Sequence, residues 1–189
     1  MNLQEILAAI RPINQQAAQE AKRRWDSIAK PLNSLGLLEQ AVIRIAAMTG
    51  SSQVRLDRRG LVVMCADNGV VAEGVTQTGQ EVTALVTENF YKGETSAAIM
   101  AKMANCDLIP VDIGVARGVA GEGLIHHKIA YGTGNIAQGP AMTRTQAVEA
   151  VEFGANLAYE LAGQGYRILC TGEMGIGNTT TASAVTSVL

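Results

Sequence analysis

Tyr166-Arg167-Ile168-Leu169-Cys170 runs straight into Thr171-Gly172-Glu173-Met174-Gly175-Ile176-Gly177-Asn178-Thr179-Thr180-Thr181. The first five residues make a mostly apolar run of strand length. Three glycines and one carboxylate follow, and an Ala/Thr/Ser-rich segment with helical character leads the chain out. Strand, glycine-rich loop and helix start, in that order, shape a backbone to hold an anion. Glycine lets main-chain N–H groups converge, and the unpaired donors of a new helix point at the same spot. The loop by itself fits a tight structural turn as well as an anion site. It lacks the Gly-Lys-Ser/Thr of a Walker loop, and Gly172-x-x-Gly175-x-Gly177 is not the dinucleotide fingerprint. Amides and threonine hydroxyls without lysine or metal suit a monophosphate rather than a triphosphate.

Similar runs lie upstream: Leu61-Val62-Val63-Met64-Cys65, Leu108-Ile109-Pro110-Val111 and a weaker Lys128-Ile129-Ala130-Tyr131. Runs apolar on both faces suit parallel strands covered by helices. Helical stretches fall between them, around residues 82–90 and 95–103, and from the capping box Thr143-x-x-Gln146 to Gly163 or Gly165. The alternation predicts an α/β fold with a doubly wound, mostly parallel sheet of the Rossmann-like kind. Pro110 moves its strand towards an edge or a bulge. The first fifty residues read as helices only: a stripe Leu3, Ile6, Leu7, Ile10; a second helix beginning at Pro12 and stopped by Lys30-Pro31; a third capped by Ser34 and ended by Gly50. The expected organisation is a small N-terminal helical unit, residues 1–52, and an incomplete α/β nucleotide-binding domain, residues 53–189.

Each apolar run ends in a similar way, and that regularity is informative. The ends are Ala66-Asp67-Asn68-Gly69, Asp112-Ile113-Gly114, Gly132-Thr133-Gly134-Asn135 and Gly172-Glu173. In a parallel sheet these ends share one edge, where open α/β sheets bind ligands. That edge collects three carboxylates (Asp67, Asp112, Glu173), the amides Asn68 and Asn135, and Gly134. Asp, Asn and Gly are common in any turn, so a single loop would mean little; the recurrence over four loops points to a site. Glu173 beside an anion loop would repel phosphate unless ligand hydroxyls or a ring N–H meet it. The long loop from Asp67 to Gln80 mixes valines with small polar residues, a lining for a flat, mostly apolar ligand.

With 48% hydrophobic and 17% charged residues and a net charge of −2, the 189-residue chain has no basic field for nucleic acid or anionic membrane. Lys22-Arg23-Arg24 reads as a solvated helix face. Cys65, Cys106 and Cys170 share no metal-type spacing and suit reduced thiols of a cytoplasmic protein. His126 and His127 point to opposite sides if they lie in a strand, one at the surface and one packed. No metal and no cofactor are expected, and no stretch is long enough to span a bilayer.

Three motifs, Ala66-Asp67-Asn68-Gly69-Val70-Val71-Ala72-Glu73-Gly74-Val75, Gly132-Thr133-Gly134-Asn135-Ile136-Ala137-x-Gly139-Pro140-Ala141-Met142-Thr143 and Gly172-Glu173-Met174-Gly175-Ile176-Gly177-Asn178-Thr179-Thr180, together resemble the nicotinate-nucleotide:dimethylbenzimidazole phosphoribosyltransferases of cobalamin lower-ligand synthesis. Lys30-Pro31-x-x-Ser34-Leu35-Gly36 is similar to that family's N-terminal signature, with Leu32-Asn33 where Pro-Gly is usual. The resemblance implies transfer of phosphoribosyl from nicotinate mononucleotide to 5,6-dimethylbenzimidazole, without a metal, by a homodimer. It implies that Gly172, Gly175, Ile176, Gly177, Asn178 and Thr179 approach the phosphoribosyl group. Glu173 would sit in a supporting role at the ribosyl/base junction, and Thr78, Val82 and Val86 would line the base pocket.

Two departures from the family pattern bear on that implied function. Thr76-Gln77-Thr78-Gly79-Gln80 differs from the Ser/Pro-containing form frequent in the family, which leaves a phenol or another base as an alternative acceptor. The family's general base is a glutamate in a Gly-Glu-Gly type motif near the end of a longer chain. No such motif occurs here, so the expectation is an N-terminal portion whose main base lies beyond Leu189. The alternative of another class is a non-catalytic nucleotide-binding or assembly subunit.

Overall fold

The computed structural model describes all residues from Met1 to Leu189. Contacts divide the chain into two units, Gln4–Leu56 and Met1–Leu3 with Asp57–Leu189.

The first unit is helical, with α1 (Leu3–Ala9), α2 (Gln15–Asp26) and α3 (Leu37–Thr49). Small residues, Ala17 and Ala21 on α2 and Ala46 and Ala47 on α3, are buried and let the two helices approach closely. Two expected starts are displaced. α2 begins at Gln15 rather than Pro12, because the Asn14 side chain accepts the Ala17 N–H at 3.0 Å while the Asn14 N–H donates to the Ala47 carbonyl. α3 begins at Leu37, and Ser34 does not cap it. Instead Glu39 reaches back from the first turn, accepting the Leu35 N–H at 3.0 Å and the Lys30 ammonium at 2.8 Å. Lys30 also lies 5.6 Å from the Trp25 ring centre. The Lys30-Pro31 signature is thus braced by a buried ion pair. Gly50 ends α3 in the left-handed conformation, as expected.

The second unit is a four-stranded parallel sheet, β1 (Arg59–Ala66), β2 (Asp107–Gly114), β3 (Ile125–His126) and β4 (Ile168–Met174), in the order β3-β2-β1-β4. Alternate residues of the apolar runs face opposite sides. Val62 on β1 and Ile109 and Val111 on β2 pack with Leu157 and Leu161 of α6 (Arg144–Gly163). Val63 and Cys65 pack with Ala84 and Phe90 of α4 (Glu81–Lys92), with Ala97 of α5 (Ser96–Met103) beside them. Helices on both faces make the sheet doubly wound, as the sequence predicts. The capping box of α6 forms as expected, with Thr143 Oγ1 accepting the Gln146 N–H.

Two strand readings change, and that of Pro110 is borne out. The run 128–131 is not a strand: regular pairing with β2 stops at His126, and Lys128 turns inward to Asp112. β4 continues through Thr171, Gly172 and Glu173 to Met174, because β1 offers partners as far as Cys65. Pro110 lies in β2 opposite Val63, where β2 is flanked by β1 alone, since β3 pairs only with Val111 and Asp112. His127 stacks on Phe153 at 4.0 Å and His126 is exposed, as their alternation implies. No helix is long and apolar enough to cross a membrane.

The Lys30 ammonium, followed by the Leu35 amide, holds the Glu39 carboxyl below its ordinary value of 4.5. A depressed folded value means stability that is complete above the unfolded value and is lost as pH falls through the folded one. Stability, measured by unfolding followed through Trp25 fluorescence, should therefore fall on acidification below about pH 4.5, and Lys30→Met should flatten that dependence. An unchanged profile in the variant would refute the pairing. Burial pushes the Cys65 thiol up to about 11, whereas Cys170 is exposed. Alkylation of the native protein at about pH 8 should label Cys170 and spare Cys65 until the chain unfolds.

Candidate functional site

The carboxyl ends of the strands meet in a layer of backbone held together by Asp67. Its N–H donates to the Gly114 carbonyl at 2.9 Å, its carbonyl accepts from the Thr133 N–H at 3.0 Å, and its Oδ2 accepts from the Ala116 N–H at 2.7 Å. The Gly69 N–H donates to Thr133 Oγ1, and a Cβ on Gly69 would stand 2.5 Å from the Gly134 carbonyl carbon. Glycine is required there by close backbone approach. Asp112 sits at the end of β2, with its Oδ1 accepting the Val115 N–H at 3.0 Å and the Lys128 ammonium at 2.9 Å. Asp67 and Asp112 are each 1% exposed. Both belong to the edge expected from the sequence, where they are turned into the fold and order the loops.

The loop after β4 is fastened to the same layer. A Cβ on Gly175 would overlap the Ala66 carbonyl oxygen. Asn68 clamps the turn, donating from Nδ2 to the Ile176 carbonyl at 3.2 Å and accepting the Thr181 hydroxyl at 2.9 Å. The Ile176 N–H donates to the buried Thr83 hydroxyl at 3.0 Å, and the Asn178 N–H to the Gly175 carbonyl. Gly177, at φ +85°, turns the chain into α7 (Asn178–Thr186). Loop amides at Ile176 and Asn178 are therefore already engaged, which leaves the Gly177 and Thr179 amides open at the helix start.

Glu173 is exposed on β4 in register with Met64, and its carboxylate has no partner. Asn135 donates to Glu73 at 2.6 Å, joined by Gln138 at 3.0 Å, so its amide braces the first loop. The Gly134 N–H donates to the Ala141 carbonyl. Thr78 is exposed, Val82 is half-buried, and Val86 packs against the sheet beside Val63 and Cys65. The sequence reading missed Thr83 and Lys128. A pair of threonines at i and i+4 on the apolar face of α4, Thr83 and Thr87, was the available signal for the first. A lone lysine in an otherwise apolar run was the signal for the second.

Two cavities open at this edge. One, of about 470 Å³, lies between Gly69, Val71, Gln80, Tyr131 and Thr133. The other, of about 260 Å³, is mostly apolar and lies between Ala66, Gly114, Ile129, Thr133, Met142 and Gln146. A larger groove of about 680 Å³ follows α6, but Glu149, Glu152 and Glu160 line it. Its acidity repels anions, and size alone does not select it.

A family model described as phosphoribosyltransferase matches residues 10–189. The nicotinate-nucleotide–dimethylbenzimidazole phosphoribosyltransferase of Acetivibrio thermocellus is 46% identical over 185 residues, covering 98% of this chain and 53% of the relative. The enzyme of the same name from Ruminiclostridium cellulolyticum is 44% identical over 189 residues, covering 100% and 54%. A crystal structure of that enzyme from Thermus thermophilus superposes with a TM-score of 0.87 at 39% identity, over 93% of this chain and 54% of that one. The chain belongs to the nicotinate-nucleotide–dimethylbenzimidazole phosphoribosyltransferase family. It spans about half the length of the curated relatives it matches. The phosphoribosyltransferase motifs recognised in the sequence correspond to the stitched layer: the first supplies Asp67, Asn68 and Gly69, the second Thr133 and Asn135, and the third Gly175 to Asn178.

The glycines differ in what they tolerate. Gly175→Ala drives a methyl group into backbone and should cost about 2–3 kcal/mol in urea unfolding. Gly172→Ala meets nothing closer than the Val63 Cγ2 at 3.3 Å and should cost less than about 1 kcal/mol. Equal stability of the two variants would refute the close approach.

Proposed function

We propose that this chain binds nicotinate mononucleotide at the carboxyl edge of its sheet. The protein it represents transfers the phosphoribosyl group to 5,6-dimethylbenzimidazole, giving α-ribazole 5′-phosphate and nicotinate. The reading is carried by the most distinctive motif, which contains both a helix start that keeps open amides and, four residues before it, an exposed, unpaired carboxylate. The 5′-phosphate takes the Gly177 and Thr179 amides and the positive end of α7. Asp67, Asn68, Asp112, Gly134 and Asn135 hold the surrounding loops in register, and Thr78 and Val82 flank the approach of the base.

The chemistry asks little of the protein beyond placement and charge. A benzimidazole nitrogen attacks the ribosyl C1′ with its lone pair, and the bond from C1′ to the pyridinium nitrogen breaks. Its electrons neutralise the ring as nicotinate departs, and the second benzimidazole nitrogen then gives its proton to a general base that the whole protein supplies beyond Leu189. Positioning replaces a bimolecular encounter, and Glu173 stabilises the positive charge that passes from pyridinium through C1′ to benzimidazolium. Binding is assigned to this chain and turnover to the whole protein, because relatives of the same name are about twice as long. Homodimer formation and a cytoplasmic setting belong to the same reading, supported by exposed apolar side chains such as Leu37 and Met103 and by free cysteines.

Calorimetry tests the assignment. Nicotinate mononucleotide should bind in preference to NAD and ATP, and Glu173→Gln should weaken binding by about tenfold. Equal affinity for all three nucleotides would overturn it. Nicotinate release by the whole protein, measured with 5,6-dimethylbenzimidazole and with phenol, identifies the acceptor.

A further inference from the structure

We propose that Lys128 is a built-in cation that positions the loops of the nucleotide edge, occupying a site that a free alkylammonium ion would fill in its absence. Its ammonium meets three oxygens from one short stretch: Asp112 Oδ1 at 2.9 Å, the Val115 carbonyl, and the Arg117 carbonyl at 3.2 Å. An ammonium has three N–H donors, so the three oxygens satisfy it. The Tyr131 ring centre lies 4.8 Å away and supplies a negative face on a further side. The side chains of Lys128 and Asp112 are 17% and 2% exposed, so water screens the pair weakly.

Without that charge, a buried carboxylate and two carbonyl dipoles would converge on one point and push the 115–117 turn apart. The consequence reaches the nucleotide edge through named bonds. Asp112 Oδ1 also takes the Val115 N–H, the next amide, Ala116, is the donor to Asp67 Oδ2, and the Asp67 carbonyl takes the Thr133 N–H. Lys128 itself belongs to the segment leading into Gly132–Gly134, so one ammonium fastens two loops at once. It acts as a positioning residue, through Asp112 and Asp67. The role rests on the proposed nucleotide site only where ligand affinity is concerned; the cation site stands on its own geometry.

The test uses the 189-residue chain as wild type and as Lys128→Ala, with Lys128→Met as the variant that keeps the apolar stem. In the alanine variant the Val115 and Ala116 amides should exchange about a hundredfold faster, with the Leu157 amide of α6 unchanged. Methylammonium should reverse this saturably, tetramethylammonium at the same ionic strength should not, and affinity for nicotinate mononucleotide should follow the same titration. Lys128→Met should show the same acceleration without rescue, because its stem fills the site. Unchanged exchange in a folded variant, or loss that methylammonium does not reverse in Lys128→Ala, would overturn the proposal. If neither variant folds, the wild type decides: protection of Val115 and Ala116 comparable to that of Val111 in β2 supports the clamp, and exchange at open-loop rates removes it. Absence of nucleotide binding by the wild type defeats the functional reading alone, since the exchange measurements need no ligand.

Discussion

Gly175 lies against the Ala66 carbonyl with no space for a methyl group, and the edge of the sheet depends on that approach. β1 and β4 are neighbours through seven paired residues, so the loops that leave them start side by side. Only a residue without Cβ lets the second loop fold down over the end of the first. Once it does, Asn68 bridges the remaining distance from one loop to the other, and Thr83 fixes the turn from α4 beneath. The same device recurs where Gly69 meets Gly134. Close backbone packing, more than glycine's freedom to adopt unusual angles, explains why the motifs are rich in glycine; only Gly177 among those in the last loop has a left-handed φ.

This arrangement gives the open amides of α7 a rigid platform. The amides that would otherwise wander are held by Thr83 and by the Gly175 carbonyl. At the proposed phosphate site an anion would meet donors already oriented, and little ordering entropy would be lost on binding. The apolar clusters on both faces of the sheet keep the strand ends level with one another. The chain of dependence runs from alternating apolar residues, to a twice-covered sheet, to strand ends in register, to a loop layer fixed by backbone contact.

Much of this was legible in the sequence, for physical reasons that also mark where legibility ends. Buried parallel strands leave continuous apolar runs, so β1, β2 and most of β4 could be found, and Thr143 with Gln146 announced the start of α6. The run at 128–131 misled because Lys128 is drawn inward by Asp112, sixteen residues upstream, and local pattern carries no trace of such a partner. Ser34 misled similarly: it is a good cap by type, yet the buried Lys30–Glu39 pair sets the geometry of the turn and gives the capping task to Glu39. The edge was found from the recurrence of Asp, Asn and Gly after each strand. Which of those residues face outward was not readable, because that depends on which amides and ammonium groups the fold brings to each carboxylate.

That dependence resolves an apparent contradiction in the composition of the edge. Three carboxylates at the site proposed for a phosphate ester would be self-defeating if all were free. They are not equivalent. Asp112 is matched by the Lys128 ammonium and the Val115 amide, and Asp67 is buried with the Ala116 amide at one oxygen and no partner at the other. Both fields are directed into the loops. Glu173 alone projects its charge outward, from the strand that leads into the open amides of α7. The positive helix end and the negative strand residue thus lie four positions apart in the chain and are joined by no hydrogen bond. This polarity suits the ligand proposed above, with its anionic phosphate at one end and its cationic ring, joined to an electron-poor carbon, at the other.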